Sequence, residues 1–162
     1  MAGAMTLEEK MEALGASSLF GEFTDTGKRI FATIARERRI AAGSPLFLEN
    51  QVGESMFIVV QGQVRLTQHR AEGGDREVAQ AGRGDHLGEL AVLAPSVRLI
   101  SAVAQSDCQV LEIGQRDFLA LAPQKPQACL KLATAVAAQL ARRVGDAREL
   151  LRDALGRALQ AP

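Results

Sequence analysis

The chain has 162 residues, with 19 basic and 19 acidic side chains and no tryptophan or tyrosine. A chain of this length is expected to form one domain with its own hydrophobic core. Because the formal net charge is zero, the sequence disfavours a nucleic-acid-binding surface, which is normally basic. The apolar runs are too short for a membrane span and no signal segment opens the chain, so we expect a cytoplasmic protein with no membrane partner.

The N-terminal part of the chain predicts two helices, within residues 1–37. The first covers residues 6–14, where Thr6 is a plausible N-cap and acidic residues fill the first turn. The second covers residues 25–37, and its inward stripe is formed by Ile30, Phe31 and Ile34. We interpret both helices as supports for the part of the chain that follows.

From residue 38 the pattern changes to short β-rich segments separated by glycine turns. Residues 55–60 predict a strand from their β-branched and aromatic content. Gln61 and Gly62 predict a tight turn, and the alternating pattern of residues 63–68 predicts the returning strand. A second hairpin is predicted at residues 73–75. Short strands at this spacing are typical of a β-sandwich or barrel.

The stretch 86–102, HLGELAVLAPSVRLISA, has the most informative chemistry in the chain. Gly88 has no Cβ and therefore lets the backbone approach a ligand closely. A short helix that begins near Glu89 would direct free N–H groups and its positive dipole end at an anion. Glu89 can accept a hydrogen bond from a sugar hydroxyl, and the planar guanidinium of Arg98 matches phosphate oxygens. The stretch therefore predicts capture of a small phosphate ester.

The segments after this stretch predict strand and then helix. Residues 101–113 indicate two short strands or one bent strand. Residues 115–122 indicate a short helix whose apolar anchors are Phe118 and Leu119.

Residues 127–159 predict one long helix with an apolar seam in a four-three rhythm. The seam consists of Leu140, Val144, Ala147, Leu151, Ala154 and Ala158. Two interpretations stay open: the seam pairs two copies of the chain, which we prefer, or the helix folds back on its own barrel. The arginines of this helix are interspersed with acidic residues and are interpreted as a solvated face: Arg142, Arg143, Arg148, Arg152 and Arg157.

The cysteines and histidines do not indicate catalysis or metal binding. Cys108 and Cys129 lie in apolar contexts without a CxxC partner and are expected to be buried thiols. His69 and His86 lack the spacing of metal ligands, which disfavours a metalloenzyme with a β-barrel site. No nucleophile–base pair stands out either, so we expect no catalytic residue and no enzyme activity.

The residues Gly88, Glu89 and Arg98, in this order and spacing, resemble the phosphate-binding cassette of cyclic nucleotide-binding domains. That family includes the catabolite activator protein and the regulatory subunits of cyclic-nucleotide-dependent kinases. Its cassette runs Phe-Gly-Glu, two or three small or apolar residues, a short loop, and Arg-Ser/Thr/Ala-Ala. The order of the flanking turns and helices is similar from about residue 19 to about residue 159.

The resemblance implies an α+β, mainly β fold. It is a jelly-roll barrel of about eight strands with N-terminal helices, a short cassette helix and a long C-terminal helix. The whole chain, residues 1–162, would form one such domain, with helices in 1–37, the β-roll in 38–114 and its cassette in 86–102. The hinge helix and the C-terminal helix would fill residues 115–160.

The resemblance also implies the roles of five ligand-binding residues. Glu89 would hold the ribose 2′-hydroxyl and Arg98 the cyclic phosphate, while the N–H groups of Gly88, Glu89 and Leu90 would complete the phosphate cradle. Leu99 follows the arginine where a threonine accompanies cGMP preference, and therefore argues for cAMP. No cofactor beyond this ligand is implied.

The function implied is a stand-alone regulatory sensor that signals by movement of the hinge helix and C-terminal helix. The chain stops at Pro162, where transcription factors of this family carry a DNA-binding module, so the expected output is a homodimer or an unidentified protein partner. The alternative is a related scaffold that binds no nucleotide and serves as a dimerisation or protein-interaction module. Leu99 and Ile100, which replace small residues of the cassette pattern, favour that alternative.

Overall fold

In the computed structural model, which describes residues 3–160, the strands of the chain form two four-stranded antiparallel sheets and a short ribbon. The first sheet has the order β1 (Arg36–Ile40), β10 (Cys108–Gly114), β4 (Ser55–Gln61), β7 (His86–Leu87). The second has the order β2 (Pro45–Phe47), β9 (Ser101–Ala104), β5 (Val64–Arg70), β6 (Gly74–Ala81). The ribbon pairs β3 (Val52–Gly53) with β8 (Ser96–Val97).

This arrangement confirms the α+β, mainly β jelly-roll expectation. Eight strands form the two sheets, as expected, and the ribbon of β3 and β8 adds two short ones. Residues 101–113 form two strands rather than one bent strand. Residues 1, 2, 161 and 162 of the expected domain lie outside the described part of the chain.

The N-terminal helices are α1 (Leu7–Gly15) and α2 (Asp25–Ile34). Thr6 caps α1 as predicted, and its capping box with Glu9 satisfies N–H groups that a helix start leaves unpaired. The second helix ends three residues before the expected residue 37, because β1 already begins at Arg36 and pairs with β10 there.

The core has two parts, which explains why the helices are needed. One lies between the two sheets and includes Phe57, Val64 and Val110. The other fills the space between the first sheet and the helices, and includes Phe31 and Ile113. Cys108 and Cys129 are buried free thiols, one in each part, as predicted, and burial raises the pKa of Cys129.

Two further short helices lie within the cassette and directly after the last strand. They are α3 (Leu90–Leu93) and α4 (Gln115–Leu121). Phe118 of α4 is buried as predicted, but Leu119 is 53% exposed, so its prediction as an apolar anchor was wrong. Consecutive residues of a helix point about 100° apart, and α4 covers the core with the Phe118 side only.

The predicted long C-terminal helix is divided into α5 (Pro126–Asp146) and α6 (Arg148–Gln160). They meet at Ala147, whose φ of −92° and ψ of 11° depart from helical values. Gly145, two residues earlier, is one of the two glycines of the predicted helix and has low helix propensity. Only the first half of α5 packs on the core, through Cys129, Leu132 and Val136. The seam from Leu140 onward is largely exposed, so the helix does not fold back along its whole length.

Within residues 3–160, no helix combines the length and the apolar character that a bilayer crossing requires.

Candidate anion-binding site

The backbone turns sharply between β7 and α3, at Gly88. Its φ of +71° lies in the left-handed region, which glycine adopts without strain. A Cβ at Gly88 would overlap the guanidinium of Arg98, and a Cβ at Gly53 on the ribbon would overlap it too. The absence of a side chain at both positions therefore creates the space in which the guanidinium lies.

Arg98 follows β8 and is 6% exposed. Its Nη2 donates to the carbonyl oxygen of Ser55 at 2.6 Å, and its Nη1 donates to the carbonyl oxygen of Gly88 at 3.4 Å. The guanidinium carbon lies 4.2 Å from the ring centroid of Phe47, a cation–π distance. The Nε atom is buried and has no hydrogen-bond partner among the described residues.

The electrostatics of Arg98 are those of a cation removed from water. Burial lowers its pKa, because the charged form loses solvation. The carboxylates of Glu112 and, to a smaller extent, Glu89 oppose this decrease of the pKa. The site thus carries a desolvated positive charge with one buried nitrogen, Nε, that lacks a hydrogen-bond partner among the described residues, which suits an anionic ligand.

Glu89, the predicted ribose ligand, is buried at the start of α3. Its Oε1 accepts a hydrogen bond from Nη1 of Arg143 at 2.5 Å. Arg143 lies on α5, 54 residues later, and was predicted to belong to a solvated face. Most of the Arg143 side chain is exposed, as that prediction expected, but its guanidinium also contacts Glu89, which the sequence did not indicate.

A second polar contact joins α5 to the cassette one helical turn before Arg143. The Nε2 atom of His86 donates to Oε1 of Gln139 at 2.6 Å, and Nε2 of Gln139 donates to Oγ of Ser18 at 3.1 Å. Gln139 and Arg143 are four residues apart and share one face of α5. This face therefore contacts the cassette on both sides of the turn at Gly88.

The structure brings three of the five predicted site residues together: Gly88, Glu89 and Arg98. Leu90 is the first residue of α3, so its N–H has no partner one turn earlier in that helix, while its side chain is partly exposed. The side chain of Leu99 is 78% exposed and does not fill the space between Glu89 and Arg98. The ligand-binding roles of all five residues stay predictions.

Several residues of the site were not identified from the sequence. Phe47 and Ser55 are separated from Arg98 by more than 40 positions, and their chain neighbours carry no motif that indicates contact. The spacing of Gln139 and Arg143 showed only that they share a helix face, and the same holds for other polar pairs of α5.

A family model described as the cyclic nucleotide-binding domain matches residues 37–125. The cyclic AMP receptor protein of Thermus thermophilus is 34% identical over 112 residues, which cover 69% of this chain and 50% of that protein. The lysophospholipase NTE1 of Chaetomium globosum is 29% identical over 121 residues, 74% of this chain but 8% of that protein. The chain thus spans half or less of the length of these relatives.

Among solved structures, the N-terminal domain of a transcriptional regulator from Streptomyces coelicolor superimposes with a TM-score of 0.75 at 27% identity. The alignment covers 83% of this chain and 93% of that one. The fold, the geometry around Arg98 and the family match over residues 37–125 agree, and the chain belongs to the cyclic nucleotide-binding domain family.

Proposed function

We propose that the protein is a regulatory module that binds a cyclic nucleotide, cAMP in preference to cGMP, between Arg98 and Glu89. The observation that carries the proposal is the buried Nε of Arg98, which has no hydrogen-bond partner among the described residues. A buried donor without an acceptor costs about 1–3 kcal/mol, and more when the group is charged. A phosphate oxygen supplies the missing acceptor together with a charge of opposite sign.

The preference for cAMP rests on Leu99. A threonine after the cassette arginine is the feature that the family associates with cGMP preference, and this chain has a leucine there. The side chain of Leu99 is exposed, so it can contact a bound nucleotide without first leaving the core.

The proposed signal passes from the cassette to α5 by two routes. The first is the ion pair of Glu89 with Arg143, which a ribose hydroxyl would join or replace. The second is packing, because Val92 of α3 and Phe118 of α4 belong to the same core part as Leu132 of α5. A ligand that shifts α3 therefore changes the contacts that position α5, and it shifts the equilibrium by its difference in affinity for the two states.

A homodimer through the C-terminal helices is the output that we propose. Large apolar side chains are exposed on both α5 and α6, and α6 has no buried residue. Those on α6 are Leu150, Leu151, Leu155 and Leu159. A helix with this much exposed apolar surface is expected to pack against another helix. An unidentified protein partner would use the same surface.

We place the protein in the cytoplasm because both of its cysteines are free thiols. We propose a binding rather than a catalytic role for the site described above, since its charged and polar groups are arranged to contact an anion.

The second candidate is a scaffold that binds no nucleotide. It is favoured by the contact of Glu89 with Arg143. This contact already gives a hydrogen-bond donor to one carboxylate oxygen of Glu89, the residue expected to hold the ribose. In that case the fold would serve only to present the C-terminal helices.

Isothermal titration with cAMP and cGMP separates the two candidates. The wild type should bind cAMP more tightly than cGMP, and Arg98→Ala should lose about 2–5 kcal/mol of binding free energy because the phosphate is left unpaired. Arg70→Ala, which removes an exposed arginine from the end of β5, serves as the charge-matched control and should bind like the wild type. No heat and no increase in melting temperature with millimolar cAMP for the wild type would favour the scaffold.

A further inference from the structure

Strand β10 contributes a second carboxylate, that of Glu112, to the surroundings of Arg98. Glu112 and Phe57 are directly opposite each other on β10 and β4, so their side chains share one face of the sheet. Both carboxylate oxygens are engaged: Oε1 accepts from Oγ of Ser55 at 2.8 Å, and Oε2 pairs with Nη1 of Arg38 at 3.3 Å. With a side chain 23% exposed, Glu112 is held in place from two directions.

Ser55 connects this carboxylate to the phosphate-binding arginine. Its hydroxyl donates to Glu112, and its carbonyl oxygen accepts the 2.6 Å hydrogen bond from Nη2 of Arg98. Among the carboxylates that oppose the burial-induced decrease in the pKa of Arg98, Glu112 has the larger effect and Glu89 the smaller. Glu112 is therefore a counter-charge of the buried guanidinium, to which it is linked through Ser55.

Aromatic rings join the same groups from the other side. The guanidinium of Arg98 lies on the ring of Phe47, which stacks on Phe57 with centroids 5.9 Å apart. The guanidinium of Arg38 lies 6.0 Å from the ring centroid of Phe57. Hydrogen bonds and ring contacts thus link the two arginines along separate paths, which restricts the positions that Arg98 can adopt.

We propose that Glu112 is a positioning residue that sets how strongly Arg98 captures phosphate. It stabilises the buried guanidinium before an anion binds, and it repels the phosphate once the anion is present. This inference rests on the proposed function of Arg98 as the phosphate ligand. Because the two effects have opposite signs, loss of the negative charge should weaken the ligand-free fold and strengthen phosphate binding. A residue with only a structural role would weaken both.

The test is Glu112→Gln, which keeps an oxygen acceptor for Ser55 and removes the charge. We expect its affinity for cAMP, measured by isothermal titration, to be about three- to tenfold higher than that of the wild type. We expect its melting temperature without ligand to be lower by about 2–6 °C. Glu72→Gln, an exposed carboxylate between β5 and β6, is the matched control and should change neither value. An affinity equal to or below that of the wild type would overturn the proposal.

A second arm distinguishes failure of this inference from failure of the proposed function. Ligand-free melting is compared for Glu112→Gln, Arg98→Met and the double variant. The loss caused by Glu112→Gln should become smaller when the cation of Arg98 is absent, since only the contact with Arg38 then remains to be weakened. Additive losses would overturn the inference even if cAMP binds. If the wild type binds no cyclic nucleotide, inorganic phosphate replaces it as the probe. Glu112→Gln must then increase the rise in melting temperature that phosphate produces, and an unchanged rise would reject the role of Glu112.

Discussion

The helices α5 and α6 follow each other in the chain with one residue between them, yet they differ in their relation to the barrel. Helix α5 buries Cys129, Leu132 and Val136, and it contacts the cassette through Gln139 and Arg143. Helix α6 is richer in leucine, with four in 13 residues against three in the 21 of α5, but it buries none of its residues. The comparison shows that apolar periodicity alone does not decide whether a helix is part of the core. A helix joins the core only where a sheet or another helix offers an apolar surface against which it can pack.

The largest expected effect is the loss of stability caused by a leucine substitution on α5, compared with the same substitution on α6. Leu132→Ala removes a fully buried side chain and should lower the free energy of unfolding by about 2–5 kcal/mol. Leu155→Ala makes the same chemical change on exposed α6 and should alter it by less than about 0.5 kcal/mol in the monomer. Urea denaturation of both variants measures the difference. A large loss for Leu155→Ala at low protein concentration would show that α6 packs on its own barrel.

The next effect concerns association. A chain that ends at Ala147 lacks α6 and should keep a melting temperature within about 4 °C of the full chain at low concentration, because it loses no buried side chain. In sedimentation velocity the full chain should change from monomer to dimer as the concentration rises, whereas the shortened chain stays monomeric at higher concentrations. If both chains associate equally, the exposed face of α6 is not the dimer contact.

The smallest expected effect is on the pH dependence of stability, which should respond to a carboxylate of the barrel but not to one on α6. The backbone N–H of Met5 and, after it, the amide of Gln109 hold the pKa of Glu37 below its usual value of 4.5. A carboxyl whose pKa is lower in the folded state adds stability above its unfolded pKa, and this stability is lost as the pH falls through the folded value. Glu37→Gln should therefore flatten the decrease of stability below about pH 5. Glu149→Gln on α6 is the control and should leave the acid limb unchanged in urea titrations across that range.

The local parts of the structure could be predicted from the sequence, because they depend on neighbours within a few residues. The capping box at Thr6, the hairpins and the turn at Gly88 need only the residue types at fixed spacing. The same holds for the start of α3 after Glu89. The proximity of Gly88, Glu89 and Arg98 was predictable for this reason, since the three residues are close in sequence.

The tertiary structure alone decided which distant groups complete the site. Arg143 reaches Glu89 across 54 positions, and Ser55 reaches Arg98 across 43. Sheet register and helix docking set such contacts, and no residue spacing encodes them. The same reason explains why Leu119 and the seam of α6 are exposed, although their sequence pattern matches that of buried residues. The sequence by itself determined the candidate ligand-binding groups, because they are close in sequence, and the packing of the whole chain determined which distant groups contact them.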